Sequence, residues 1–171
     1  QHQETERTNM KTTAATSNAT SKGLKKDNRV ADALNLVLAD SYALMALTHQ
    51  AHWNVEGSDF FQLHKAFQEQ YENLFEAIDE IAEQVRTLDQ YAVGGLSKLA
   101  SMAEMDEFTT QVPQKDYVAG LIVAHEKTVE DALQVQELAG EAGDLETQDL
   151  MIERVAWHKK TIWMLKSYLK H

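Results

Sequence analysis

The chain contains no cysteine. That removes disulfides, thiolate zinc sites and thiol nucleophiles at once, and it fits a reducing compartment. It has one proline, Pro113, and only seven glycines among 171 residues. So few helix breakers favour long helices over many short strands. No apolar run approaches the roughly 20 residues needed to span a bilayer. The N-terminal stretch also lacks the apolar segment of a secretory signal. The expected location is therefore the cytoplasm, with no membrane partner. There is no glycine-rich phosphate loop and no strand–turn–helix nucleophile elbow, and no organic cofactor is expected.

What is present is a 43% hydrophobic content, enough for the core of one compact domain. The net charge of −11 is unevenly spread. Residues 1–29 hold six Lys/Arg against three Asp/Glu, a net of +3, so the remainder carries −14. Such a body attracts cations and repels nucleic acid except through its basic tail. Residues 1–26, rich in Thr, Ser, Asn and Ala and without apolar periodicity, read as a flexible, mildly basic tail. Residues 27–171 read as the folded domain.

Helical spacing begins near Asp27, a candidate N-cap, and runs through Val30, Leu34, Val37, Leu38, Ser41, Leu44 and Thr48 to His52. Leu36, Ala43 and Leu47 add a second apolar strip, which points to burial on more than one side. Gly57 ends this helix, and Ser58 or Asp59 caps the next, whose stripe is Phe60, His64, Phe67, Tyr71, Leu74, Ile78, Ile81, Val85 and Leu88. Residues 89–113 read as a long crossover carrying one short helix from Leu96 to Met102. A third long helix presents Val118, Leu121, Ile122, His125, Val129, Ala132, Leu133 and Gln136 and closes at Gly140 and Gly143. Asp144 opens a fourth, which carries Trp157, Trp163 and Tyr168. Two tight hairpins joined by a long crossover predict an all-α, ferritin-like four-helix bundle with a short helix between helices 2 and 3.

His52 lies six residues before the turn at 58 and His64 six after it, so the two imidazoles sit at the same height of the hairpin. Gln68 is one turn beyond His64 on the same face. Asp79 and Glu83 form an i, i+4 carboxylate pair further along that helix. Imidazole and carboxylate together suit iron or zinc. Asp79, however, is 15 residues from His64, or roughly 22 Å of helix, while a metal–ligand bond spans about 2.0–2.2 Å. One copy cannot bring both pairs to one ion. Two copies can, if their hairpins pack antiparallel about a two-fold axis, which creates two equivalent sites. The Glu-x-x-His pairs of intra-bundle di-iron proteins are absent: no Glu here has His three residues later.

The run His52-Trp53-Asn54-Val55, with Gly57, Phe60, Leu63-His64, Phe67, Tyr71 and Asp79-Glu80-Ile81-Ala82-Glu83, resembles the signature of the Dps family of mini-ferritins. Gly143-Asp144, Thr147, Asp149-Leu150, Lys160 and Ile162-Trp163-Met164 extend the resemblance across residues 27–171. It implies a hollow dodecamer that binds Fe(II) at its two-fold interfaces in a two-iron centre. There Fe(II) is oxidised, preferably by hydrogen peroxide, and ferric mineral is stored within, which protects against oxidative damage. The implied ligands are His52 and His64 from one subunit and Asp79 and Glu83 from the other. Trp53 would stand close enough to donate or relay an electron, or would serve as interface packing.

Gln68 departs from the pattern, which commonly has Asp there. A neutral amide weakens the second iron site unless water or Glu72 takes that role. The resemblance also places Glu141, Asp144, Glu146 and Asp149 around a three-fold pore, with Asp144 and Asp149 as the principal cation ligands. An N-cap role for Asp144 is the simpler alternative. A nucleoid-associated, DNA-binding protective cage with a degenerate metal centre is the alternative function. It would rest on the tail, whose phosphate binding should be weak and strongly salt-dependent. A monomeric helical binding module is the third reading, and the two apolar faces of the first helix argue against it.

Overall fold

A computed structural model describes residues 28–109 and 111–170. Five helices account for its regular structure: α1 Arg29–Asn54, α2 Phe60–Thr87, α3 Leu96–Ala103, α4 Gln114–Ala142 and α5 Leu145–Tyr168. There is no strand among the described residues. The expected tail and the Asp27 cap lie outside them, and Asn28 stands at the N-cap of α1.

The hairpins α1–α2 and α4–α5 pack side by side, with α1 against α4 and α3 against α1. Asp59, Gln114 and Tyr168 meet at one end of the bundle, so the starts of α2 and α4 and the end of α5 lie together. The crossover therefore travels the length of the bundle. It is held to α1 by Asn35, which donates to the Tyr91 carbonyl and accepts from the Val93 amide, and by Gln50, which donates to the Phe108 carbonyl.

The core is a continuous apolar cluster built around Leu34, Leu44, Phe67, Leu74, Ile81, Tyr117 and Leu121. α1 is apolar enough and long enough to cross a membrane by length and composition, contrary to the sequence expectation. Yet 56% of that stretch is already buried inside the bundle. It also carries Asp40, whose side chain lies 3.2 Å from Lys127 of α4. Its second strip is only partly covered: Leu47 is buried, whereas Leu36 and Ala43 are half-exposed.

The buried line of α2 is Leu63, Phe67, Gln70, Leu74, Ala77, Ile81 and Val85. The expected stripe was rotated slightly toward α1, because Phe60, His64, Tyr71 and Ile78 flank that line rather than lie on it. On α4, Leu133 is 40% exposed, and Tyr117, Thr128, Val135 and Ala139 complete the buried face instead. Gly140 is inside this helix, and Gly143, at φ 73°, caps it.

Asp59 stands at the N-cap of α2 but makes no capping hydrogen bond. Its Oδ2 is claimed by Gln114 Nε2 (2.8 Å) and Tyr168 Oη (3.1 Å), tying three helix ends together. Gly57, at φ 119°, brings its Cα against this knot: a Cβ there would sit 2.6 Å from Gln114 Oε1. Gly57→Ala should cost about 1–3 kcal/mol of stability from the backbone alone. Urea denaturation of the variant against wild type measures it, and an unchanged midpoint would rule out this account of the turn.

Candidate metal centre

The turn through Gly57 sets the register that brings His52 of α1 opposite His64 of α2. Their rings stack with centroids 3.7 Å apart and an interplanar angle of 19°. Each Nδ1 lies 2.8 Å from the other residue's backbone carbonyl: His52 Nδ1 from His64 O, and His64 Nδ1 from His52 O. A carbonyl oxygen can only accept, so both Nδ1 atoms carry the proton and donate it. In the neutral form of each ring the lone pair is then at Nε2. His52 is in the last turn of α1, where carbonyls lack helical partners and are free to accept. Two stacked rings anchored through Nδ1 form the arrangement that metal-ligating histidines adopt, with Nε2 left as the ligating atom.

Aromatic rings surround the pair. Tyr71 meets His52 edge-on at 5.2 Å, and Phe60 stacks on His64 at 5.0 Å. His49, which sequence reasoning passed over, lies 4.2 Å from Tyr71 and stacks almost parallel on Trp53 at 5.2 Å. Its pKa is lowered by burial first and by the neighbouring His52 second, which keeps it neutral. The available signal was its spacing: three residues before His52 and four before Trp53. Trp53 itself is 69% exposed.

Gln68 donates from Nε2 to Glu72 Oε1 at 2.7 Å. Asp79 and Glu83 are both exposed on α2. Asp79 borders a surface groove with Tyr42, Met45, Phe75 and Ile78. No group of three or more His, Asp or Glu converges among the described residues. The fold thus joins the two histidines and leaves the carboxylate pair elsewhere on the same helix, as the helical rise requires.

Asp144 caps α5: its Oδ1 accepts from the Thr147 amide (3.0 Å) and its Oδ2 from the Thr147 hydroxyl (2.6 Å). Asp149 is exposed, in a shallow groove with Leu145, Glu146 and Ile152.

The interior of the bundle holds a second histidine pair. His125 Nδ1 and His158 Nδ1 are 2.8 Å apart, with Gln70 Oε1 3.4 Å from His125 Nε2. Burial drives His125 down to about 3 and His158 well below the usual histidine range, so both are neutral. The nearby buried cation Arg154 donates to Asn73 Oδ1 at 2.9 Å and lies over the Trp157 ring. With a cation beside it and no carboxylate joined to it among the described residues, this cluster is unsuited to holding iron.

A family model for a ferritin-like domain matches residues 31–171. A low temperature-induced protein of Nostoc is 36% identical over 152 residues, covering 86% of this chain and 85% of its own length. The DNA protection during starvation protein of Porphyromonas gingivalis is 32% identical, covering 85% of this chain and 93% of its own. Among solved structures, the Dps protein of Vibrio cholerae superposes with a TM-score of 0.80 at 33% identity, covering 83% of this chain and 89% of its own. It is described as a member of a broad superfamily of ferritin-like diiron-carboxylate proteins. An all-α bundle with this helix order, matched over nearly its whole described length by these relatives, belongs to the Dps family of mini-ferritins.

Proposed function

We propose that this protein oxidises Fe(II) at centres shared between two subunits and stores the ferric product in a dodecameric cage. The carrying observation is the reciprocally anchored His52/His64 pair, which presents two nitrogen donors but is joined by no carboxylate among the described residues of its own chain. Asp79 and Glu83 of a second copy complete the donor set if the α1–α2 hairpins pack antiparallel about a two-fold axis. Exposed Trp53 and Phe75, each at 69%, lie on this hairpin and are large apolar surfaces for a lone chain.

Iron is the substrate. Two ferrous ions give one electron each to hydrogen peroxide, and the O–O bond breaks to yield two hydroxides and two ferric ions. Pairing the electrons avoids a free hydroxyl radical, which makes the reaction protective. Imidazole nitrogen suits the ferrous ion and carboxylate oxygen the ferric product. Trp53, joined to the pair through His49 and Tyr71, is placed to donate an electron. Asp149 is the better pore carboxylate, because Thr147 already engages both oxygens of Asp144. Residues 1–26 are read as a tail and 27–171 as the cage unit. The DNA-binding alternative rests on that tail alone.

Complementation tests the shared centre. A His52→Ala/His64→Ala chain and an Asp79→Asn/Glu83→Gln chain should each be inactive as homogeneous cages. Random co-assembly puts an intact donor set in one of the two sites of each mixed dimer, restoring about one quarter of wild-type sites. No recovery in particles proven to be mixed would refute the shared centre.

A further inference from the structure

Between the histidine pair and the carboxylate pair, the face of the α1–α2 hairpin carries a continuous run of grooves. Phe75 borders one with His49 and Tyr71, and the next with Asp79 and Tyr42. Tyr42 in turn borders a third, a hollow of about 310 Å³ between α1 and α3. Leu47 and Leu99 are buried beneath this hollow, and it stays open because α1 carries only Ala43 and Ala46 there. A large ring, Phe75 at 69% exposure, and an apolar hollow able to take it therefore share one face.

We propose that Phe75 is the anchor of the contact between two copies. Its ring enters the α1–α3 hollow of a second copy, over Ala46, and the ring of that copy enters this one. The inference rests on the shared-centre reading above, which fixes the register. His52 and His64 lie six residues from the turn at 58, whereas Asp79 and Glu83 lie 21 and 25 residues past it. Bringing these pairs level puts the two-fold axis about 14 to 15 residues from each turn. Phe75, 17 residues past the turn, is then level with the position 12 residues before the turn of the other copy, which is Ala46. Antiparallel hairpins lay α2 of one copy over α1 of the other, so ring and hollow face each other. An aromatic ring in a desolvated pocket near the middle of an interface is where binding energy concentrates. Phe75 lies close to the axis, between the two metal centres, so its seating sets how closely each histidine pair meets its carboxylates.

The absence of cysteine makes the test direct. Within one chain, positions 75 and 46 are roughly 12 Å apart, because five residues of helical rise and one interhelix spacing separate them. A disulfide spans no more than about 7 Å between Cα atoms. Across the two-fold axis the same positions are level. Mild oxidation of Phe75→Cys/Ala46→Cys should therefore give covalent dimers on a non-reducing gel, and neither single variant should. Phe75→Ala should raise the concentration at which assembled particles dissociate on dilution by at least about 30-fold, as loss of a buried aromatic anchor does. Adding Ala46→Phe should recover most of that loss, because the ring then fills the same hollow from the other side. Monomers after oxidation, or dimers equally abundant in a single variant, overturn the pairing. Dissociation of Phe75→Ala at the wild-type concentration overturns the anchor role. If mixed particles in the complementation experiment recover activity while the cysteines stay unbridged, this inference fails alone. If they recover none, the shared centre fails and the register falls with it.

Discussion

Peroxide-driven Fe(II) oxidation should fall at least about 100-fold in the His52→Ala/His64→Ala protein. Loss of a single partner that merely orients a metal ligand commonly costs 10–100-fold, and this variant removes two candidate ligands outright. The effect should be confined to chemistry. The rings hold each other through Nδ1 contacts to backbone carbonyls, and those carbonyls remain in the variant. The core residues that join α1 to α2, such as Leu44, Phe67 and Leu74, are untouched. Each single variant should keep the surviving ring anchored and lose less than the double. Stopped-flow oxidation, with particle mass measured in parallel, makes the test. Equal rates in a particle of unchanged mass would remove iron oxidation from these histidines.

The second large effect is loss of stability in acid, driven by the interior pair His125 and His158. Both have folded pKa values depressed by burial, His125 to about 3. Below the ordinary histidine value near 6.5, the unfolded chain takes up protons that the folded chain refuses, so stability falls as pH falls. Each histidine contributes a slope of up to about 1.4 kcal/mol per pH unit across that window. Asp40 works in the opposite sense. Burial, then its contact with Asp131, pushes it up to about 8 against the pull of Lys127. Its contribution therefore grows as pH falls from about 8 toward 4. Two histidines outweigh one carboxyl, which leaves a net loss of stability as pH falls below 6.5. Urea midpoints at fixed protein concentration and pH 7, 6 and 5 should decline. His158→Gln, which stays neutral and can still hydrogen-bond, should flatten the decline. A midpoint that holds steady or rises toward pH 5 would contradict this assignment.

Most of the architecture was legible in the residues because helical periodicity and breakers act locally. The α1–α2 turn at Gly57, the short helix in the crossover and the Asp144 cap all appear where spacing placed them. The errors have tertiary causes. Ser58 or Asp59 was expected to cap α2; Asp59 does stand at the N-cap, but Gln114 and Tyr168, both remote in sequence, take its carboxylate in place of a capping amide. The stripe of α2 was turned because half-buried aromatics count as apolar in a pattern, while buried Gln70 does not. His49 was missed because it is not aligned with the His52–His64 level of the hairpin, and its stack on Trp53 emerges only once side chains are placed. His158 carried no signal of its own: its partner His125 is 33 residues away, on the other helix of the hairpin.

By itself the sequence determined the helix order, the level at which His52 meets His64, and that Asp79 of the same copy cannot share an ion with them, which is why the proposed centre calls on a second subunit. That limit follows from the separation of Asp79 from His64 along one helix, since a helix has a nearly constant rise per residue. Only the tertiary structure decided which nitrogen of each histidine carries the proton and which end of Gln68 is free. Those depend on hydrogen-bond partners within a fraction of an ångström, and such partners exist only after the hairpin has closed in one register.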